Sequence, residues 1–502
     1  MRNTCQAYES DTYYVSRITA MTKLAEMLAG LPPEWPHDVL PEIQRRLSAL
    51  NQKAVILDDD PTGTQSVHDI PVLTEWGVDT LQAELENDLP AFYVLTNSRA
   101  LPLEQAQALN SEVGRNVMAA LSRMHKPAQG NAARSVAFIS RSDSTLRGHF
   151  PGEVDALAQQ VHGKVPAYLI APAFMAGGRY TLNDIHYVAY GDELMPAGET
   201  EFAKDAAFGY RSSNLREWVE EKTRGAIRAG DVSSISIDDI RVGGPDAVAK
   251  KLMWMQAGMA CIVNAASERD LEVTALASLI AEADGMQFMY RSAASFARAR
   301  AGIAPKALLT AQDLTGRSAP KVEDPSGLHG GLIVVGSYVP KTSSQLQALL
   351  DAGASPIEVN VEALLDDAQA AGEIARATQQ ANAWLAEGRD TVLYTSRKLI
   401  TGNDAQSSLA IGNRVSNSMI AIVKGVAVQP RYVLAKGGIT SSDVATKALG
   451  VQRAMVLGQI LAGVPVWQLG PETRYPNSIY IVFPGNVGGP TALAEVVRTL
   501  SK

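Results

Sequence analysis

At 502 residues, 46% hydrophobic and 20% charged, the chain has the composition of a folded globular protein and the length of roughly two to four domains. A formal net charge of −8 argues against a surface built to neutralise phosphodiester backbones. The two cysteines, Cys5 and Cys261, cannot supply a disulfide framework or a Cys-rich zinc site, and they fit a reducing, cytoplasmic setting. No run approaches the roughly 18 apolar residues of a membrane span. The segment MRNTCQAYESDTYY lacks the apolar core of a signal peptide.

Residues 1–50 read as a helical, mostly polar extension. ITAMTKLAEMLAG and LPEIQRRLSAL carry apolar residues at helical spacing, separated by the breaker LPPEWP. From Lys53 the pattern changes to short apolar runs that end in polar or small residues: KAVILDDD, AFYVLTNS, SVAFISRSDS and AYLIAPAF. A helix is predicted over LPLEQAQALNSEVGRNVMAALSRM, between the second and third runs. Such alternation predicts parallel β-α-β units with strands buried on both faces and ligands gathered outside their carboxyl ends. A polar Gly/Pro stretch, TAQDLTGRSAPKVEDPSGLHGG, marks a boundary. A second series follows it: GLIVVGS, SPIEVNV, DTVLYTSR, RYVLAKGG and NSIYIVFPGN. The fold class is therefore α/β, with two domains, each a mainly parallel sheet flanked by helices, and the active site in the cleft between them.

The first strand end carries Asp58-Asp59-Asp60-Pro61-Thr62-Gly63. Three adjacent carboxylates repel one another and would titrate high if buried without cations. They suit a substrate hydroxyl or a metal, with one as general base; an exposed acidic turn in which Asp60 caps the next helix is the plainer alternative. The second cluster, Ser140-Arg141-Ser142-Asp143-Ser144-Thr145-Leu146-Arg147, places hydroxyls and two arginines at a strand-to-helix connection. Helix capping explains the hydroxyls but not the arginines, whose planar forks suit a carboxylate. Arg99, after Thr96-Asn97-Ser98, is a further carboxylate clamp or a surface salt bridge. Gly177-Gly178-Arg179-Tyr180 reads as a hairpin entering the cleft, or a structural turn. His149 and His186 are solitary and carry no chemistry in this reading.

In the second half the glycines matter most. Lys436-Gly437-Gly438-Ile439-Thr440, Pro484-Gly485-Asn486-Val487-Gly488-Gly489 and Gly336-Ser337 each stand between a strand and a helix. Glycine lets the backbone approach a phosphate, and a helix N-terminus favours the anion. A helix capped by Thr440, Ser441 or Ser442 is predicted after the first of these turns. Neither a P-loop nor a strict dinucleotide fingerprint is present, so a phosphate-binding domain of another lineage is indicated.

Two other readings compete. Asp58-x-Asp60-x-Thr62 also fits the pattern of haloacid-dehalogenase-like phosphatases, with Asp58 as nucleophile, Asp60 as acid/base and Thr96 binding phosphate. A non-catalytic sensor of a sugar acid and a nucleotide is the other.

Taken together, ILDDDPTGTQSVHD, FISRSDSTLRGHF, APAFMAGGRYT, VVGSYVPKTSSQ, AKGGITSSDVATKAL and PGNVGGP resemble the four-carbon acid sugar kinase family over about residues 53 to 495. The resemblance implies an acid-sugar domain over 51–310, a linker over 311–330 and a nucleotide-binding domain over 331–502. It further implies ATP and Mg²⁺ as cofactors and phosphorylation of threonate, erythronate or 3-oxo-tetronate at the terminal hydroxyl. By position, Asp59 and Asp60 match the paired aspartates, and Ser142, Asp143, Ser144 and Arg147 match the substrate loop, with Arg141 beside it. Ser337, Gly437, Gly438, Ile439, Thr440 and Gly485 match nucleotide positions, with Asn486 and Gly488 in the same turn. Arg99, Arg147 and Arg179 would then hold the carboxylate, and Asp59 or Asp143 would take the hydroxyl proton. The expected partner is a small sugar acid, with homo-oligomerisation open and neither nucleic acid nor membrane involved. Three departures stand out: Asp58 replaces a small residue, the turn Gly336-Ser337-Tyr338-Val339 lacks a second serine, and the N-terminal extension with the TQSVHD continuation points to a distinct branch.

Overall fold

A computed structural model describes residues 22–124, 133–160, 166–314, 329–336, 340–397, 400, 405–485 and 487–501. Cys5, Ser337 and Asn486 lie outside the described residues, as does most of the polar boundary stretch.

The apolar runs of both series become strands. In the first half, Ser233–Ile235, Ala260–Val263, Ala167–Ala171, Phe288–Ser292, Ser135–Arg141, Gln52–Asp58, Ala91–Leu95 and Ile70–Leu73 lie side by side, all in parallel. In the second, Ser355–Val359, Thr391–Thr395, Leu332–Val335, Tyr432–Lys436 and Ile479–Phe483 are likewise parallel. Two antiparallel strands, Val464–Leu469 and Arg453–Leu461, complete that half. Both expected α/β halves are thus present, but they are not two separate sheets. Arg453–Leu461 pairs antiparallel with Ile70–Leu73, Met455 opposite Pro71, and a single sheet of 15 strands results.

Burial explains the parallel pairing. Along Gln52–Asp58, Ala54 and Ile56 enter one apolar core while Val55 and Leu57 enter another, the alternation of a sheet covered on both faces. The first of these cores continues through Leu332 and Val334 of the second half. Helix Leu103–Arg123, predicted from its periodicity, buries Val113, Val117 and Ala120 on one face of the first half. Helix Glu268–Ala283 covers the other.

Of the N-terminal extension, helix Leu40–Ala49 buries Ile43 and Leu47 in the main core, against Glu268–Ala283. Thr22–Lys23 joins a small antiparallel sheet with Glu193–Pro196, Ile185–Tyr190 and Arg179–Leu182. The predicted turn at the glycine pair exists, with Phe174 and Arg179 bonding each other's backbone across residues 175–178, and the chain reverses a second time at Asn183 and Asp184, both with positive φ. Among the described residues no helix is long and apolar enough to cross a membrane.

Candidate functional site

The carboxyl end of Gln52–Asp58 delivers the three aspartates to neighbouring arginines. Asp58 is 1% exposed and meets Arg141 Nη1 at 3.0 Å. Asp59 accepts from Arg99 Nη2 at 2.7 Å and Nε at 3.1 Å. Asp60 caps the following turn through Thr62 N at 2.9 Å and lies 3.6 Å from Arg99 Nη1. Each carboxylate thus has its cation, which answers the repulsion that the sequence raises. Burial still pushes Asp58 up to about 7, against the pull of Arg141. For Asp60 the order reverses: Arg99 and the Thr62 donors outweigh burial and hold it below the usual carboxylate range.

This geometry overturns the phosphatase reading. Asp58 is sealed under the Pro61–Ser66 turn, so tightly that a Cβ on Gly63 would stand 1.9 Å from its Oδ2. A nucleophile cannot be reached there. Thr96 gives its hydroxyl to the carbonyl of Asp58 rather than facing a phosphate.

The second cluster follows Ser135–Arg141. Asp143 accepts from Arg147 Nε at 2.7 Å and from the Thr145 hydroxyl. Arg99, Arg147 and Thr145 outweigh burial and hold its carboxyl far below the usual range. Arg147 and Arg179 both lie over the ring of Phe202, at 5.1 and 5.9 Å. Arg179 donates to Gly177 O, but among the described residues no carboxylate pairs with it. His186 is a core histidine: it bonds Ser144 O at 2.7 Å and Thr181 Oγ1 at 2.9 Å, and burial lowers it to about 4.

In the second half, Gly437 (φ +115°) opens helix Gly438–Asp443, so glycine rather than Thr440, Ser441 or Ser442 is the cap residue. Ser441 instead bonds back to Ala435 O at 2.8 Å. Gly488 has φ +80°, and a Cβ there would meet that of Ala492 at 2.4 Å. At Gly336 a Cβ would meet Thr440 Oγ1 at 2.3 Å, so this turn and the Gly437–Thr440 turn touch.

Both sets of residues line one cavity of about 810 Å³. Asp60, Arg99, Arg141, Asp143, Ser144, Arg147 and Arg179 come from the first half, and Gly438, Ile439, Gly485 and Gly488 from the second. Asp59, Ser142, Gly437 and Thr440 stand outside its lining. Where the halves meet, a Cβ on Gly438 would lie 3.0 Å from Asp60 Oδ2.

Residues 54–300 match the family described as a sugar-binding N-terminal domain, and residues 332–493 the one described as a nucleotide-binding C-terminal domain. The chain belongs to the four-carbon acid sugar kinase family. It is 28% identical over 385 residues to D-threonate kinase of Salmonella typhimurium, covering 74% of this chain and 79% of that protein. To 3-oxo-tetronate kinase of Methylobacterium radiotolerans it is 27% identical over 447 residues, covering 86% and 95%. Its fold is that of a Haemophilus influenzae protein from a family of unknown function, at TM-score 0.58 and 18% identity, covering 89% of this chain and 100% of that one.

Three residues of this sugar acid kinase escape the sequence reading. Glu153, 3% exposed, accepts from the Ser98 hydroxyl and lies beside Asp59. Arg291, 1% exposed, donates to the carbonyls of Asp143 and Arg147 at 3.4 and 3.3 Å and so braces the Asp143–Arg147 loop. It is the penultimate residue of the strand Phe288–Ser292, close to the polar strand-end signal that marks Arg141 in Ser135–Arg141. Phe202 has no such signal, since it lies in a short 3-10 turn (Glu201–Lys204) remote in sequence from both arginines.

Proposed function

We propose that the protein transfers the terminal phosphoryl group of ATP to the terminal hydroxyl of a four-carbon sugar acid such as threonate, erythronate or 3-oxo-tetronate. The single cavity that carries arginines on one wall and glycine turns on the other is what supports this reading most. An acid and a polyphosphate held there would face each other without crossing solvent.

Arg179 takes the substrate carboxylate, because it is the lining arginine without a carboxylate partner among the described residues, and Phe202 keeps its guanidinium flat. Arg147 adds a second donor set. Asp143, fixed by Arg147 and Thr145, orients the hydroxyl and accepts its proton as the bond to phosphorus forms; a loose transition state needs only a weak base. Asp59 holds Arg99 in place from behind the wall. Gly438, Ile439 and the turn at Gly485 and Gly488 offer backbone N–H groups to the phosphates.

Magnesium fits the donor set. Among the described residues no three His, Cys, Asp or Glu side chains gather into a metal cage, but a nucleotide-borne Mg²⁺ needs only one or two protein carboxylates. Asp60, which lines the cavity and reaches the Gly438 turn, is the residue to hold it. When bound, the ion neutralises charge on the phosphates. A cytoplasmic setting belongs to the same reading, Cys261 being a buried thiol.

The test is ADP release from Mg-ATP against a panel of four-carbon sugar acids and their 3-oxo forms. ADP that appears with one acid only is the expected result. ADP release that is independent of every acid, or no release at all, would overturn the reading.

A further inference from the structure

Lys436 ends the strand Tyr432–Lys436, and its side chain is fully buried. Among the described residues no carboxylate pairs with it. Its Nζ donates to Pro484 O at 3.0 Å and to Gly485 O at 3.4 Å, and lies 4.3 Å from the centroid of the Phe483 ring. Burial, reinforced by Lys341, lowers its ammonium to about 7. A buried cation matched only by carbonyl dipoles and a ring face is costly to retain. Helix-on-sheet packing does not require it, since an apolar side chain would fill the same volume.

Its place in the sheet shows what it controls. Lys436 is in register with Phe483 of the neighbouring parallel strand, and Gly437 N donates to Phe483 O at 2.8 Å. The lysine therefore reaches from the root of one glycine turn to the root of the next. In a trans peptide the C=O and the following N–H point in opposite directions. With Pro484 O drawn inward onto the ammonium, Gly485 N–H is aimed outward, to the side on which Gly485 lines the cavity.

We propose that Lys436 is a positioning residue for the nucleotide polyphosphate: it holds the Pro484–Gly485 turn in its anion-accepting orientation. The phosphates in turn supply the counter-charge that the protein withholds. This rests on the nucleotide reading above.

The experiment is calorimetric titration of the full-length chain with Mg-ADP and, separately, with threonate, for wild type, Lys436→Met and Lys436→Gln. Lys436→Met is expected to weaken Mg-ADP binding about tenfold or more, the loss of a charge-assisted hydrogen bond, while threonate binding stays within about twofold. Lys436→Gln, which retains N–H donors for the two carbonyls, should recover part of that loss. A folded Lys436→Met chain that binds Mg-ADP as wild type does would overturn the proposal. Should neither variant fold, hydrogen exchange on the wild type decides it. Mg-ADP must slow exchange at Gly485, and unchanged exchange there with nucleotide bound would overturn the assignment. Failure of the wild type to bind Mg-ADP would instead remove the nucleotide reading itself.

Discussion

Arg99 grips Asp59 through two hydrogen bonds, Nη2 to Oδ1 at 2.7 Å and Nε to Oδ2 at 3.1 Å, with the aspartate 3% exposed. On the proposed reading, Asp59 acts on the cavity through Arg99, since it stands outside the lining that Arg99 shares. Asp59→Asn removes the counter-charge from one side of a largely buried guanidinium, which should destabilise the fold by about 3 kcal/mol. Misplacing Arg99 should also lower kcat/KM for the acid by about a hundredfold, as small displacements in a positioned site do. Urea denaturation and steady-state kinetics measure the two effects. Turnover within a few-fold of wild type would show that Arg99 needs no such anchor.

Glu153 sets a pH dependence that can be isolated. Burial, with Asp59 beside it, raises its carboxyl from its ordinary 4.5 to about 7. The folded chain then keeps a proton that the unfolded chain has released, so the contribution of Glu153 to stability falls as pH rises from about 4.5 to about 7. Above that window the full penalty remains. Glu153→Gln cannot ionise and should gain stability on wild type across the same window. Asp58, also raised to about 7, is present in both proteins and leaves the difference unaffected. Chemical denaturation at a series of pH values gives the comparison, and parallel curves would mean that Glu153 titrates in its ordinary range.

Individual strands such as Gln52–Asp58 and Tyr432–Lys436 were legible because parallel strands buried on both faces are continuous apolar runs, whereas the shorter Ser233–Ile235, Ala260–Val263 and Phe288–Ser292, and the spatial order of the strands, were not. Polar residues at or just past a strand end, such as Arg141 and Asp143, were legible because they stand where an apolar run stops. What joins the halves was not. Ile70–Leu73 is a short run that reveals nothing of its partner, and Arg453–Leu461 is nearly 400 residues away; only the folded chain pairs Met455 with Pro71. The division of labour among the carboxylates was equally hidden. Asp58, Asp59 and Asp60 are equivalent letters, and the pleat of the strand and the two arginines decide which is sealed, which braces Arg99 and which lines the cavity.

Arg179 should govern the acid and leave the nucleotide alone. It lines the cavity over Phe202, with no carboxylate partner among the described residues. Arg179→Met keeps much of the side-chain volume against the ring and removes the fork. KM for the sugar acid should rise by about tenfold to a hundredfold, the worth of a charge-assisted bidentate contact, while KM for ATP stays put. A matched rise in both constants would place Arg179 in the structure of the loop and not at the carboxylate.

Gly438 tests whether the two walls must meet as closely as they do. It lies at the first position of helix Gly438–Asp443, where no positive φ is demanded, so alanine is welcome to the backbone and adds helix propensity worth up to about 1 kcal/mol. Its new Cβ would nevertheless stand 3.0 Å from Asp60 Oδ2, so the carboxylate must shift away from the phosphate side of the cavity. Gly438→Ala should therefore be as stable as wild type or slightly more so, while kcat drops about tenfold or more as Asp60 leaves its position. Gly488→Ala is the contrasting case. With φ at +80° and its Cβ forced to 2.4 Å from that of Ala492, it should lose stability by about 1–2 kcal/mol together with activity. Thermal denaturation beside initial rates separates the two variants. A Gly438→Ala enzyme with unaltered kcat would mean that Asp60 does its work without contact across the cavity.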